Sequence, residues 1–370
     1  MIKLTKPYIS GREARAVKKV LKSGNLTQGS VSKNFENEIS KFTKAQHAFV
    51  TSSATTGLQL ALDALGVGIG DEVIIPDFSF PATANAVIKV GATPVCADIN
   101  PKTYCIDIED IQHRITPRTR AIMPVHAFGL CADMSGILEI AAKFDVKVVE
   151  DAACAIGSMI ENKQAGTFGD CGVFSFHPRK LVTTGEGGAI VTDNESLAER
   201  LSILRSHGGI RRKYYFEYID SGYNFRLSDI NSAIGIVQMN KLEEILEKRI
   251  NRAERYTRLL NEIDGISVPE VPSGFRHTFQ SYVIQLGEQY DRDEIIGRMA
   301  NMGIETTLGT YSISSQPYFG KYDQDPLHPV QNSVRAFSKT LTLPLYPSMG
   351  MKKIDYVVRS LTEVLRILDK

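Results

Sequence analysis

The densest gathering of reactive side chains lies in Cys171-Gly-Val-Phe-Ser-Phe-His-Pro-Arg-Lys180-Leu-Val-Thr-Thr-Gly-Glu-Gly-Gly188. An apolar strand ends at Ser175 and Phe176, a proline turn follows, and Lys180 stands at its exit. A lysine there can be desolvated and give up its charge more readily than a solvated one, as forming an imine requires. It also reads as a surface lysine in a glycine-rich loop. Val146-Lys-Val-Val-Glu-Asp151-Ala-Ala-Cys154-Ala-Ile-Gly157 is a strand closing on two adjacent carboxylates. An acid at that end, beside a turn of small residues, is placed to hold a protonated ring nitrogen of an electron-sink cofactor. Glu150 and Asp151 read equally as caps of the next turn. Val50-Thr-Ser-Ser-Ala54-Thr55-Thr-Gly-Leu58 runs from strand to helix through small hydroxyl residues. The free N–H groups of such a helix start make a phosphate site, or Ser53 or Thr55 simply caps the helix. Phe80, in Asp77-Phe-Ser-Phe-Pro-Ala-Thr83, follows another strand. It can lie flat against a ring or belong to the core.

Several other chemistries are excluded. Gly66-Val-Gly68-Ile-Gly70 precedes a strand instead of following one, so it is not a dinucleotide fingerprint. The seven histidines show no metal-ligand spacing, and none of the five cysteines (Cys96, Cys105, Cys131, Cys154, Cys171) forms a Cys-x-x-Cys pair. No metal is expected, and free thiols suit a reducing cytoplasm. With 43 basic and 42 acidic residues the chain has no field to gather nucleic acid. No apolar run approaches the roughly 20 residues that span a bilayer, and the first residues lack the apolar stretch of a signal peptide.

The elements that must position these residues alternate. Strand-like runs at His47–Val50, Glu72–Ile75, Pro94–Ala97, Ala121–Val125, Val146–Val149, Gly172–Phe176 and Ala189–Val191 are interleaved with helix patterns at Thr55–Leu65, Ala82–Val90 and Met134–Phe144. This predicts an α/β domain with a largely parallel sheet covered on both faces. Ligands then sit at the carboxyl ends of the strands. Before it, Ser10 and Glu13 form a capping box and Gly24 closes the first helix. After Ser228 an apolar periodicity runs towards Leu259, with no Pro or Gly between Lys241 and Asp264. It predicts one long helix bridging two domains. A C-terminal segment of mixed strand and helix follows; the division expected is 1–250 and 251–370.

Taken together, these segments resemble the nucleotide-sugar aminotransferases of the DegT/StrS group, within the fold-type I enzymes that use pyridoxal 5′-phosphate (PLP). The match runs through Ser23-Gly-Asn-Leu-Thr-Gln-Gly29, Phe35-Glu36, Gly70-Asp-Glu-Val73, Pro124-Val-His-Ala-Phe-Gly129 and Glu150-Asp-Ala-Ala153. It continues through the Lys180 segment, Ser206-His-Gly208 and Gly222-Tyr-Asn-Phe-Arg-Leu-Ser-Asp229. The resemblance implies an α/β fold of seven mostly parallel strands with a smaller C-terminal α+β domain. It implies that Lys180 holds the cofactor as an imine and later shuttles the proton, that Asp151 pairs with the pyridine nitrogen, and that Phe80 stacks on the ring. Backbone amides of Ala54 and Thr55, with the Ser175 hydroxyl, would hold the phosphate. Asn224 would reach it from the other subunit of a homodimer. The expected reaction takes nitrogen from L-glutamate and places it on a nucleotide-linked keto-sugar. Arg211-Arg-Lys-Tyr-Tyr215 offers cations and aromatic faces to a nucleotide diphosphate, or is a solvated basic loop.

Three departures stand out. The group usually has Ser-Gly-Thr where this chain has Ser53-Ala54-Thr55; a methyl group is tolerated while φ stays negative. Cys154 replaces a glutamine that commonly contacts the ring oxygen, so that hydrogen bond is lost or moved. Gly309-Thr-Tyr-Ser-Ile-Ser-Ser-Gln-Pro317 lacks a histidine-bearing motif expected near the substrate. Other readings are a cyclitol or other non-nucleotide ketone as acceptor, and a regulatory relative without turnover. Sugar dehydratases of the group carry histidine where this chain has Lys180, which speaks against that activity.

Overall fold

All seven apolar runs form strands: β1 (His47–Thr51), β2 (Glu72–Pro76), β3 (Thr93–Ala97), β4 (Thr119–Ile122), β5 (Lys147–Asp151), β6 (Cys171–Ser175) and β7 (Gly188–Thr192). The computed structural model, which describes residues 1–322 and 327–369, assembles them into one sheet of order β1-β7-β6-β5-β4-β2-β3. Pairing is parallel from β6 through β5, β4 and β2 to β3; only β7 runs against its neighbours. The runs are continuously apolar because both faces are covered. Val73 and Ile75 pack with Leu58 and Leu62 of α3 (Ala54–Ala64), while Ile74 between them packs with Ile137 of α6 (Met134–Phe144) on the other face. β4 ends three residues before its predicted end, at Ile122. Pro124 has no N–H to give a ladder, and Val125 keeps only an isolated bridge to Asp151.

The first helix, α1 (Gly11–Ser23), has the expected capping box from Ser10 and Glu13, and Gly24 closes it at φ 75°. The single long helix expected after Ser228 is two: α8 (Asp229–Met239), capped by Ser228, and α9 (Leu242–Leu260). The break falls at Asn240 and Lys241, with no Pro or Gly to announce it. Its reason is tertiary: Lys241 turns its ammonium inward, onto the buried Glu13 carboxylate and the Ser10 hydroxyl of the α1 cap.

The C-terminal part carries a four-stranded antiparallel sheet in the order Ile266–Ser267, Tyr282–Leu286, Thr340–Leu343, Thr307–Leu308. Tyr256 of α9 and Val357 and Leu361 of the last helix, α12 (Met351–Leu368), share one core with Tyr282, Ile284 and Leu341 of that sheet. The start of the chain joins this layer, with Ile2 N–H donating to Gly303 O. Tyr311–Ser312 pairs antiparallel with Phe78–Ser79, just beyond β2, which brings the 309–317 segment to the carboxyl edge of the large sheet. Among the described residues no helix is long and apolar enough to cross a membrane.

Candidate active site

The carboxyl ends of β1, β2, β5 and β6 gather the predicted residues along one edge of the sheet. Side chains alternate along a strand, so the adjacent Glu150 and Asp151 serve different faces. Glu150 is fully buried and accepts N–H groups from Gly166, Phe168 and Gly169 at 2.6–2.8 Å. It also accepts from His126 Nε2 at 2.8 Å. The Ala132 N–H donates to His126 Nδ1, which assigns the ring proton to Nε2. Glu150 is thus the anchor of the 166–169 loop. Asp151, 5% exposed, accepts from the Thr83 hydroxyl at 2.8 Å and from the Ala153 N–H at 3.2 Å. Burial pushes its carboxyl above the ordinary range; the Thr83 and Ala153 hydrogen bonds and the positive charge of Lys180 oppose the rise. Its backbone is pinned by the loop after β4, through Asp151 N–H to Pro124 O and His126 N–H to Asp151 O.

Lys180 sits half-buried in the turn after β6, its N–H bonded to His177 O. His177 Nδ1 accepts the Arg179 N–H, and Arg179 O accepts from the Gln280 side chain at 2.9 Å. The turn is therefore braced from within and from the C-terminal part. Lys180 Nζ lies 2.9 Å from Cys154 Sγ, so the thiol is in contact with the amine.

Ser53 caps α3, taking the Thr56 N–H on its hydroxyl. The N–H groups of Ala54 and Thr55 open the first helical turn, which has no intrahelical acceptors to offer them, and no hydrogen bond from either is made among the described residues. Ala54 is not among the residues with positive φ, so its methyl group is accommodated. Gly188, at the start of β7, lies against this turn; a Cβ there would meet Ala54 N and Ser53 C at 2.6 Å. Ser175 is paired with Gly188 across the sheet. One strand register thus places the turn, the close-approach glycine and the serine side by side.

Phe80 is 64% exposed at this edge, its ring centroid 6.4 Å from that of Tyr311. Asp77 fixes the 309–317 segment there, accepting from Ser312 Oγ at 2.6 Å and Ser314 N–H at 2.7 Å. In the segment without the expected histidine, Tyr311 is the aromatic side chain beside Phe80. Asn224 bridges to Ser206 through its backbone and accepts from Arg226, while Phe225 O accepts the Ser52 N–H. The Arg211–Tyr215 loop forms the tip of a hairpin of Gly209–Arg211 and Phe216–Tyr218, with Tyr214 and Tyr215 exposed. Reading the sequence missed Thr83, His126 and Gln280. Thr83 and His126 lay inside motifs already singled out, but the contacts that give them meaning cross 68 and 24 positions of chain.

The group these residues fit has a phosphate, a ring nitrogen and an electrophilic carbon. Two unpaired N–H groups at a helix start, crowded by a glycine, suit the phosphate. A buried carboxylate suits a protonated ring nitrogen, and a primary amine completes the set. PLP has these three features. Among the described residues no cluster of three or more His, Cys, Asp or Glu side chains is placed to hold a metal.

Comparison with known proteins agrees. The chain is 35% identical over 376 residues to the spore coat polysaccharide biosynthesis protein SpsC of Bacillus subtilis, covering 98% of this chain and 97% of that one. It is 35% identical over 369 residues to the GDP-perosamine synthase of Caulobacter vibrioides, covering 98% of each. The aminotransferase TlmJ of Streptoalloteichus hindustanus superposes with a TM-score of 0.94 at 31% identity over 100% of both chains. The PLP form of a sugar aminotransferase described as putative, Spr1654 of Streptococcus pneumoniae, does so with 0.93 at 26% identity, covering 99% of each. The profile of one family matches residues 7–362, nearly the whole chain. With that match, and a site shaped for the cofactor this family uses, the chain belongs to the DegT/DnrJ/EryC1/StrS aminotransferase family and is a PLP-dependent aminotransferase.

Proposed function

We propose that this aminotransferase moves an amino group from L-glutamate onto a nucleotide-linked keto-deoxysugar, as a cytoplasmic homodimer. The observation that carries the site assignment is the convergence of Lys180, Asp151 and the open N–H groups of Ala54 and Thr55 on one sheet edge. The sugar assignment is supported by a relative of 35% identity named for a GDP-linked product, and another named for polysaccharide biosynthesis. The exposed hairpin tip, with Arg211, Arg212 and Lys213 beside Tyr214 and Tyr215, offers charge and ring faces to a nucleotide diphosphate. The chain is taken as a cofactor-binding part, 1–250, and a smaller part, 251–370.

When bound, PLP supplies an aldehyde for amine exchange and a ring that accepts electrons. Ala54 and Thr55 N–H and the Ser175 hydroxyl hold its phosphate, aided by Asn224 of a second subunit. Asp151 keeps the ring nitrogen protonated, and the Thr83 hydroxyl orients that carboxylate. Phe80, exposed at this edge, would lie against the ring. Lys180 Nζ is both the attachment point and the base that lifts a proton from donor carbon and returns one to acceptor carbon. Cys154, against Nζ, stands beside the attachment point.

The test supplies L-glutamate with UDP-, dTDP- and GDP-linked keto-sugars, and separately an inosose. Amination of one nucleotide sugar is expected; amination of the inosose alone overturns the acceptor class. Reducing the loaded protein with borohydride should fix the cofactor to the peptide carrying Lys180. Lys180→Ala should lower kcat by roughly 10³-fold.

A further inference from the structure

Four of the five cysteines are buried: Cys96, Cys105, Cys131 and Cys171. Burial also pushes the Cys105 thiol up to about 11 and raises those of Cys131 and Cys171. Such thiols are slow towards oxidants, because the reactive thiolate is scarce and the sulfur is shielded. Cys154 differs. It is half-exposed, in the turn after β5, and its sulfur touches the Lys180 amine at 2.9 Å. An oxidised sulfur here would face a nucleophile already in contact with it.

We propose that Cys154 and Lys180 form a reversible covalent nitrogen–sulfur link, a sulfenamide, when a peroxide reaches the cleft while Lys180 is free. In the first step the Cys154 sulfur attacks one oxygen of hydrogen peroxide. The O–O bond breaks, water leaves with the thiol proton, and the sulfur becomes a sulfenic acid as the peroxide is reduced. In the second step the Nζ lone pair attacks Sγ. The S–O bond breaks, and the departing hydroxyl leaves as water with a proton from the nitrogen. An external thiol then attacks Sγ and frees the amine, and a second thiol resolves the mixed disulfide, restoring both side chains. While the link stands, Lys180 has no amine to offer a cofactor, and the sulfur is guarded from irreversible oxidation. The contact needs only these two side chains. Protection by PLP rests additionally on the reading of Lys180 as the attachment point.

Full-length protein freed of cofactor is treated with a small excess of hydrogen peroxide, blocked with N-ethylmaleimide, digested with trypsin and mapped by mass spectrometry. The expected product joins the Cys154 peptide to the one spanning Lys180, uncleaved at Lys180 and two hydrogen atoms lighter than the pair. Dithiothreitol should abolish it. Lys180→Arg should yield instead a sulfenic acid at Cys154, trapped by dimedone, and Cys154→Ser should yield no linked peptide. Wild-type protein that gives the dimedone adduct as fully as Lys180→Arg, with no linked peptide, overturns the proposal. So does oxidation falling on another cysteine in its place. Loading with PLP should block the link. If it forms equally with and without PLP, the nitrogen–sulfur site stands and the assignment of Lys180 as attachment point fails.

Discussion

Asp151 is a carboxylate that its surroundings resist ionising, yet its proposed task requires a charge. Burial raises its pKa in the folded chain, and the Thr83 hydroxyl, the Ala153 N–H and the Lys180 charge, among the groups that work the other way, do not cancel the rise. The stability this group contributes is therefore full below the ordinary aspartate range and is lost as pH rises through its raised value. In cofactor-free protein, Asp151→Asn should melt higher than wild type near neutral pH, by about 2 °C for each ~1 kcal/mol relieved. The difference should vanish as the pH is lowered. With PLP the order should reverse, because a protonated ring nitrogen pairs with the carboxylate and not with the amide. Thermal melts with and without PLP across pH check both halves. The sequence marked Asp151 by its place at a strand end, but Thr83 became its hydrogen-bond donor only through the fold.

At the scale of elements, the turn into α3 works because β7 starts with a glycine. A Cβ on Gly188 would press on backbone atoms of Ser53 and Ala54, which cannot swing aside as a flexible side chain can. Gly188→Ala should displace the Ala54 and Thr55 N–H groups while leaving the sheet folded. Loss of one hydrogen bond to a charged phosphate, about 1.5–3 kcal/mol, corresponds to roughly 10–100-fold weaker PLP binding, read by absorbance titration. A second element-level contact joins α1 to the α8–α9 break. Burial would raise the Glu13 carboxyl, but hydrogen bonds from Lys241, the Ser10 and Glu13 backbone N–H groups and Gln238 bring it down to about 2. A depressed acid contributes stability that is present above its unfolded pKa and lost as pH falls through the folded value. Docking of α1 should weaken between the ordinary glutamate range and pH of about 2, by roughly 3 kcal/mol in all. Glu13→Gln should flatten that acid limb in denaturation curves. Lys241→Ala should be worse than Glu13→Gln at neutral pH, since it strands a buried carboxylate.

At the scale of the whole molecule, Arg249 ties α9 to the C-terminal part without a carboxylate partner among the described residues. Its guanidinium donates to Phe279 O, Gln280 O and Leu345 O, and burial lowers its pKa to about 9. Gln280, held at that junction, then donates to Arg179 O beside Lys180. Arg249→Met should cost about 3 kcal/mol by leaving carbonyls unpaired, seen in chemical denaturation. Gln280→Leu should leave stability nearly unchanged and lower kcat, because it removes the brace on the Lys180 turn and, besides that, a 3.3 Å hydrogen bond from the neighbouring Ser281 hydroxyl.

The sequence by itself determined the seven strands, the caps of α1 and α8, and the chemical types at the strand ends. Apolar periodicity and capping are local, and their signals lie within a few residues of where they act. It did not show the break between α8 and α9, for Lys241 and Glu13 are 228 positions apart and meet only when α1 docks. The contact of Cys154 with Lys180, the split of Glu150 and Asp151 between loop anchor and site, and the arrival of Tyr311 beside Phe80 were likewise decided by tertiary structure. Each is a distance between side chains on different elements, set by strand order and packing, and no pattern confined to one stretch of chain carries that information.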